Sequence, residues 1–127
     1  MKTVIIGGVA GGASAAARLR RLDEKAEIVM LERGEHISFA NCGLPYYIGG
    51  EISHRKRLTI QTPRSFRKRF AVDVRVRHEA IAIDTARKVV QVRDIANEKD
   101  YEETYDKLIL SPGAEPVRPP LPGAEDP

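Results

Sequence analysis

The chain has 127 residues, 42% hydrophobic and 31% charged, a composition that supports one ordinary domain with a real core and excludes a disordered chain. Its net charge of +3 argues against a nucleic-acid partner, and apolar runs such as Val4–Ile6 and Ile28–Leu31 are far too short to span a membrane. One cysteine with no zinc spacing excludes an internal disulfide and leaves no metal site, so a reducing, cytoplasmic setting is expected.

No signal peptide is expected, since the chain enters a strand pattern by its third residue. Thr3 to Ile6 reads as a buried strand running into Gly7-Gly8-Val9-Ala10-Gly11-Gly12. A helix starting near Gly11 continues through the alanine-rich stretch to Leu22, with small residues on the side that approaches the sheet. Glu27 to Leu31 is a second apolar strand, which completes a βαβ unit of about thirty residues. Thr62-Pro63 carries the N-cap and N1-proline signature and opens a short helix ending near Phe70. Between Phe66 and Phe70, Arg67-Lys68-Arg69 reads as a solvated helix face. Val72 to Val76 alternates as a strand. Ala80–Ile83 and Val89–Val92 form a further pair joined through Asp84 to Arg87. Asp94 to Glu103 is polar and predicts a loop or wide turn, and Lys107 to Leu110 predicts another buried strand. From Glu115 to Pro127 the chain carries five prolines and reads as a linker.

The glycine run has the order a dinucleotide site requires. Gly7 supplies a tight turn, and Gly12 supplies close helix–strand packing. Val9 stands at the middle position of the G-x-G-x-x-G pattern, with Gly8 and Gly11 on either side to restore a bare backbone. A pyrophosphate would rest at the helix N-terminus. Glu32 lies twenty residues beyond Gly12, where a carboxylate accepts hydrogen bonds from ribose hydroxyls. The architecture alone leaves FAD and NAD both open.

Cys42 sits ten residues past Glu32, among polar residues, glycine and proline rather than on an apolar stripe. That setting favours a functional thiol over core packing. Asn41 is a good N-cap residue, and Cys42-Gly43-Leu44-Pro45 would form the first turn of a short helix whose positive end favours thiolate. Without a resolving cysteine, its oxidised form must be a mixed disulfide with a small thiol, a persulfide or a sulfenic acid. Tyr46 and Tyr47 are expected in the core, and His36, His54 and His78 as structural or surface residues.

Tyr105 to Ala114 resembles the second FAD fingerprint of two-dinucleotide-domain flavoproteins, with Ser111-Pro112 where Ala-Thr is usual. Together with the Gly7–Gly12 loop and Ser38–Gly49, it is similar to the single-cysteine pyridine nucleotide-disulfide oxidoreductases. Asn41-Cys42-Gly43-Leu44-Pro45-Tyr46 is most similar to the coenzyme A disulfide and persulfide reductase branch. The resemblance implies an α/β, Rossmann-like FAD/NAD(P)-binding fold with a parallel sheet plus an inserted antiparallel β-meander. Residues 1–114 would be the N-terminal segment of the FAD-binding domain, and 115–127 a Pro-rich linker toward an NADH-binding domain.

It also implies roles. Cys42 would be the redox nucleophile, holding CoA in a mixed disulfide. Gly7, Gly8, Val9, Ala10, Gly11, Gly12, Glu32, Arg33, Asn41, Cys42, Ala80 and Gly113 would hold FAD. Ser14, Arg18, Arg21, Ser38 and Asn41 would contact the thiol substrate. Ser14, Arg18 and Arg21 share one helix face by their spacing, where two guanidiniums could grip a phosphate or, with Arg20, simply solubilise the helix. The full-length enzyme would use NAD(P)H and CoA as a homodimer, with no nucleic-acid or membrane partner. Two other readings stay open: an NADH oxidase or peroxidase cycling through sulfenic acid, and a non-catalytic nucleotide-binding module.

Overall fold

The computed structural model describes residues 1–117 and 119–123. In chain order the elements are β1 (Lys2–Ile6), α1 (Ala10–Leu22), β2 (Glu27–Glu32), a 3-10 turn (Asn41–Gly43), α2 (Leu44–Ile48), a second 3-10 turn (Arg55–Leu58), α3 (Pro63–Phe70), β3 (Asp73–Val76), β4 (His78–Asp84), β5 (Val89–Asp94), β6 (Lys99–Thr104) and β7 (Lys107–Leu110). Four strands form an all-parallel sheet in the order β3-β2-β1-β7, and the other three form an antiparallel meander, β4-β5-β6. This is the α/β arrangement expected from the sequence.

Side chains alternate across a strand, so each central strand serves two layers. Ile5, Ile28 and Met30 point to the helices and pack with Ala13, Ala16, Phe66 and Val74. Val4, Val29 and Leu31 point the other way and pack with Val90 and Val92 of the meander. Gly12, Ala13 and Ala16 are the buried residues of α1, which lets that helix lie close on the sheet. α3 begins with a reciprocal capping box: the Ser65 N–H donates to Thr62 Oγ1 at 3.1 Å, and the Thr62 N–H donates to Ser65 Oγ at 2.9 Å.

Four expectations are corrected. Lys99–Thr104 is a strand, not a loop, and a turn from Asp94 precedes it, with Glu98 at φ +52°. Its inward positions are Tyr101 and Glu103, and a charged inward residue hides the alternation that marks a half-buried strand. Lys107–Leu110 is an edge strand with Leu110 61% exposed, not a buried one. Tyr46 and Tyr47 lie on the surface, because α2 buries none of its five residues. Arg20 is no surface solubiliser: its guanidinium donates to the carbonyls of Phe70 (2.8 Å) and Ala71 (2.9 Å), joining the C-terminal ends of α1 and α3. Residues 111–117 and 119–123 contain neither strand nor helix, and the remainder of the expected linker, 118 and 124–127, lies outside the described residues.

Glu103 is buried and tied to the parallel sheet. It accepts from the Lys2 ammonium and from Arg75 Nη1, while Arg75 also pairs with Asp73 at 2.7 Å and donates to the Tyr101 hydroxyl at 3.0 Å. Burial alone would push the Glu103 carboxyl up. The Lys2 and Arg75 cations outweigh that and hold it below the usual carboxylate range. Reciprocally, the bond to Glu103 raises the Lys2 ammonium above its ordinary value.

Candidate dinucleotide cleft and the Cys42 segment

The chain turns sharply at the end of β1 because Gly7 adopts φ +96°, a conformation that disfavours side chains. Its N–H donates to the Leu31 carbonyl at 2.8 Å, and a Cβ there would collide with the backbone carbonyl of Ser111. Five residues on, a Cβ at Gly12 would overlap the Gly7 carbonyl oxygen, so α1 rests directly on the turn. Gly8 is buried and donates its N–H to Glu32 Oε2 at 2.8 Å; Gly34 donates to Glu32 Oε1 at 2.7 Å. The carboxylate is thereby fixed at the end of β2, and with about four lone-pair sites it keeps acceptor capacity toward solvent. Val9 precedes α1 without a side-chain cap, and the first turn (Ala10, Gly11) carries no acidic residue, so its N–H groups have no side-chain acceptor.

A cleft of about 540 Å³ opens at the carboxyl ends of β1 and β2, lined by Gly7, Glu32, Arg33, Ala80 and Gly113, with His78, Glu79 and Pro112–Pro116 completing its walls. β1 has β2 on one side and β7 on the other, so this is the point where the strand order reverses, the usual crevice for ligands in open α/β sheets. Gly113 adopts φ +78°, and a Cβ added there would meet no atom within 4 Å. Sequence reasoning missed His78 and Glu79. Ala80 and His78 share one strand face by their two-residue spacing, and that was the available signal. His78 is anchored through Nδ1 to the Val76 carbonyl at 2.9 Å.

The Cys42 segment hangs from the same glycine turn. The Ser38 N–H donates to the Gly8 carbonyl at 2.8 Å, with Ser38 itself left-handed at φ +49°. The Ala40 N–H donates to the Leu58 carbonyl at 2.7 Å, and the Ile60 N–H to the Ser38 carbonyl at 3.1 Å. Gly43 is buried, and a Cβ there would lie 2.6 Å from Leu58 Cδ2. These contacts pin the backbone and leave Cys42 a free, exposed thiol. The expected capping does not occur. Asn41 opens a 3-10 turn without a side-chain cap bond, and α2 starts only at Leu44. Asn41 and Cys42 are exposed neighbours outside the cleft lining, whereas Ser14, Arg18 and Arg21 form an exposed stripe on α1, also outside it. Among the described residues no cluster could hold a metal ion, and no helix is long and apolar enough to cross a membrane.

The fold and cleft are those of a Rossmann-like α/β protein, here with one exposed thiol. The sequence pattern described as "Pyridine nucleotide-disulphide oxidoreductase" matches residues 1–127. A coenzyme A disulfide reductase of Staphylococcus aureus (strain JH9) is 46% identical over 113 residues, 89% of this chain and 26% of the relative. Among solved structures, reduced Bacillus anthracis CoADR-RHD superimposes with a TM-score of 0.91 at 56% identity, covering 98% of this chain and 22% of that one. A NAD-dependent persulfide reductase from A. fulgidus gives 0.91 at 39% identity, covering 98% and 23%. The chain belongs to the pyridine nucleotide-disulphide oxidoreductase family, a family of oxidoreductases, and spans about a quarter of the length of the relatives it matches.

Proposed function

We propose that residues 1–114 form the N-terminal part of the FAD-binding domain of a flavoprotein disulfide reductase. Its substrates would be CoA disulfide or CoA persulfide with NAD(P)H as donor, and residues 115–127 would lead toward the NADH-binding domain. The carrying observation is a glycine-turn cleft with a free thiol tethered to the same turn through the Ser38–Gly8 hydrogen bond.

The donor set suits the ADP half of FAD. Gly7 to Gly12 offer a bare backbone, the N–H groups at the start of α1 offer donors without a side-chain cap to a pyrophosphate, and Glu32 offers its remaining lone pairs to ribose hydroxyls. Arg33 and Ala80 would flank the adenosine end, Gly113 the ribityl chain, and Asn41 and Cys42 the flavin end. Bound FAD would relay an electron pair from the nicotinamide to sulfur. Cys42, as thiolate, attacks one sulfur of CoA disulfide. A Cys42–CoA disulfide forms, the original S–S bond breaks, and the second CoA leaves as thiolate. Ser14, Arg18, Arg21, Ser38 and Asn41 would hold the CoA, the two guanidiniums taking its phosphates.

Replacing Cys42 by Ser in the full-length polypeptide tests the reading. Thiol-dependent NAD(P)H consumption should fall by about 10³-fold or more, as for loss of a nucleophile. Undiminished consumption would overturn it. The intact mass of the oxidised protein should carry one CoA; a single added oxygen would point instead to the sulfenic-acid cycle of an oxidase or peroxidase.

A further inference from the structure

This inference rests on the reading of the cleft as the seat of FAD's ADP half, and concerns how that seat chooses its nucleotide. Among the described residues three carboxylates line the cleft, Glu32, Glu79 and Glu115, against one guanidinium, Arg33. Arg33 directly follows the acid that would face the ribose, the place where a free arginine can welcome a ribose phosphate. Here its charge is engaged. Arg33 Nη1 lies 3.6 Å from Glu79 Oε1, across from the opposite wall. The same two walls are joined one step further out, where the Arg77 N–H donates to the Gly34 carbonyl at 3.0 Å and the Arg77 guanidinium pairs with Glu35. Both members of the Arg33–Glu79 pair are therefore carried on segments held in fixed apposition.

The proposed chemistry sets a discrimination problem. FAD presents ADP with free ribose hydroxyls, while CoA presents ADP bearing a 3′-phosphate, and both must be handled by one protein. Glu32 is an acceptor only, so it suits hydroxyl donors and repels a phosphate. We propose that Glu79 is a specificity-determining residue: by holding Arg33 it engages the guanidinium that lines the cleft among the described residues, so the cleft takes ADP with an unphosphorylated ribose and rejects the 3′-phospho-ADP group of CoA. Rejection through unpaired like charge is a recognised route to specificity when two ligands share a core. Glu79 acts through Arg33 and needs no contact with the nucleotide.

The full-length polypeptide, stripped of flavin, tests this by FAD rebinding followed through flavin fluorescence, in competition with ADP or with 3′-phospho-ADP. Competition against FAD reports the cleft and not the thiol site. In the unaltered protein ADP should compete at least about tenfold better than 3′-phospho-ADP, the scale of one unfavourable charge contact. In E79Q the gap should narrow about threefold or more, by a gain for 3′-phospho-ADP with ADP unchanged. Adding Arg33→Ala to E79Q should abolish that gain. Equal competition in the unaltered protein, or an E79Q variant that weakens both ligands alike, overturns the inference while FAD binding stands. Failure of FAD to rebind at all overturns the cofactor reading, and this inference with it.

Discussion

The two faces of the parallel sheet are held by different physics. Toward the helices the contact is mainly apolar, with Ile5, Ile28, Met30 and Phe66 each at 2% exposure or less and Thr3 buried on the same face. Toward the meander a smaller apolar group, Val4, Val29, Leu31, Val90 and Val92, shares the interface with the ion pairs that Glu103 makes to Lys2 and Arg75. Apolar burial is insensitive to pH and to the direction of neighbouring groups. A buried carboxylate is neither, because it is stable there only while its partners stay charged and bonded. The cleft lies on the meander side, where Ala80 both packs against that interface and lines the cavity. The cleft therefore adjoins the electrostatic face more than the helical one.

The largest expected effect breaks the apolar face. Phe66 is 2% exposed and packs against Phe70 with ring centroids 4.7 Å apart and the rings tilted by 49°. Phe66→Ala should cost about 3–5 kcal/mol of stability in urea unfolding, with the shape of the stability–pH curve unchanged. A loss under about 1 kcal/mol would mean that the helical layer is not close-packed.

The second breaks the electrostatic face. Glu103→Gln should cost about 3 kcal/mol, the low end for removing one member of a buried pair. The low end applies because Lys2 keeps Glu27 at 3.2 Å and Arg75 keeps Asp73 at 2.7 Å. The pH profile is the sharper readout. Glu103 has a native pKa below its unfolded value, so its contribution is complete above the unfolded value of 4.5 and is lost as pH falls through the native one. Lys2 has the opposite sign: its contribution is complete below 10.5 and is lost as pH rises through its raised native value. The variant should lack much of the acid-side decline seen in the unaltered protein. Parallel curves would show that the network does not couple the two layers.

The same contrast explains what could be read beforehand. Apolar periodicity and glycine order are local signals, so β1, α1, β2, the Thr62-Pro63 start of α3 and the Gly7–Glu32 frame were legible. The strand carrying Glu103 was not, because its inward charge is satisfied by residues far away in the chain, at positions 2 and 75. Glu79 and His78 reach the cleft through the β3–β4 junction, where Arg77 adopts φ +59° and redirects the chain. No local pattern announces that turn. The tyrosines after Cys42 failed for a different reason: their burial was inferred from residue type, and no element among the described residues buries them.

Arg20 sharpens the comparison, since it is an ionic group on the helical side that bonds only to backbone carbonyls, whereas Arg67 of α3 pairs with Asp73 at 2.9 Å. It donates to Phe70 and Ala71 on α3, and also to the Asp23 and Glu24 carbonyls just beyond α1. All four acceptors are backbone carbonyls at or just past the end of a helix, so the guanidinium completes hydrogen bonding and needs no countercharge. That makes it unlike Glu103: its contribution should be flat across the pH range in which carboxylates titrate. Arg20→Ala should cost about 2 kcal/mol, from several charge-assisted bonds partly open to water. Arg20→Lys should recover little, because an ammonium cannot span two helix ends as a planar fork does. Arg18→Ala, two residues away on the exposed stripe, should change stability by less than about 0.5 kcal/mol. Equal losses at Arg18 and Arg20 would mean that general helix charge, and not the bond between α1 and α3, is what stabilises this side of the sheet.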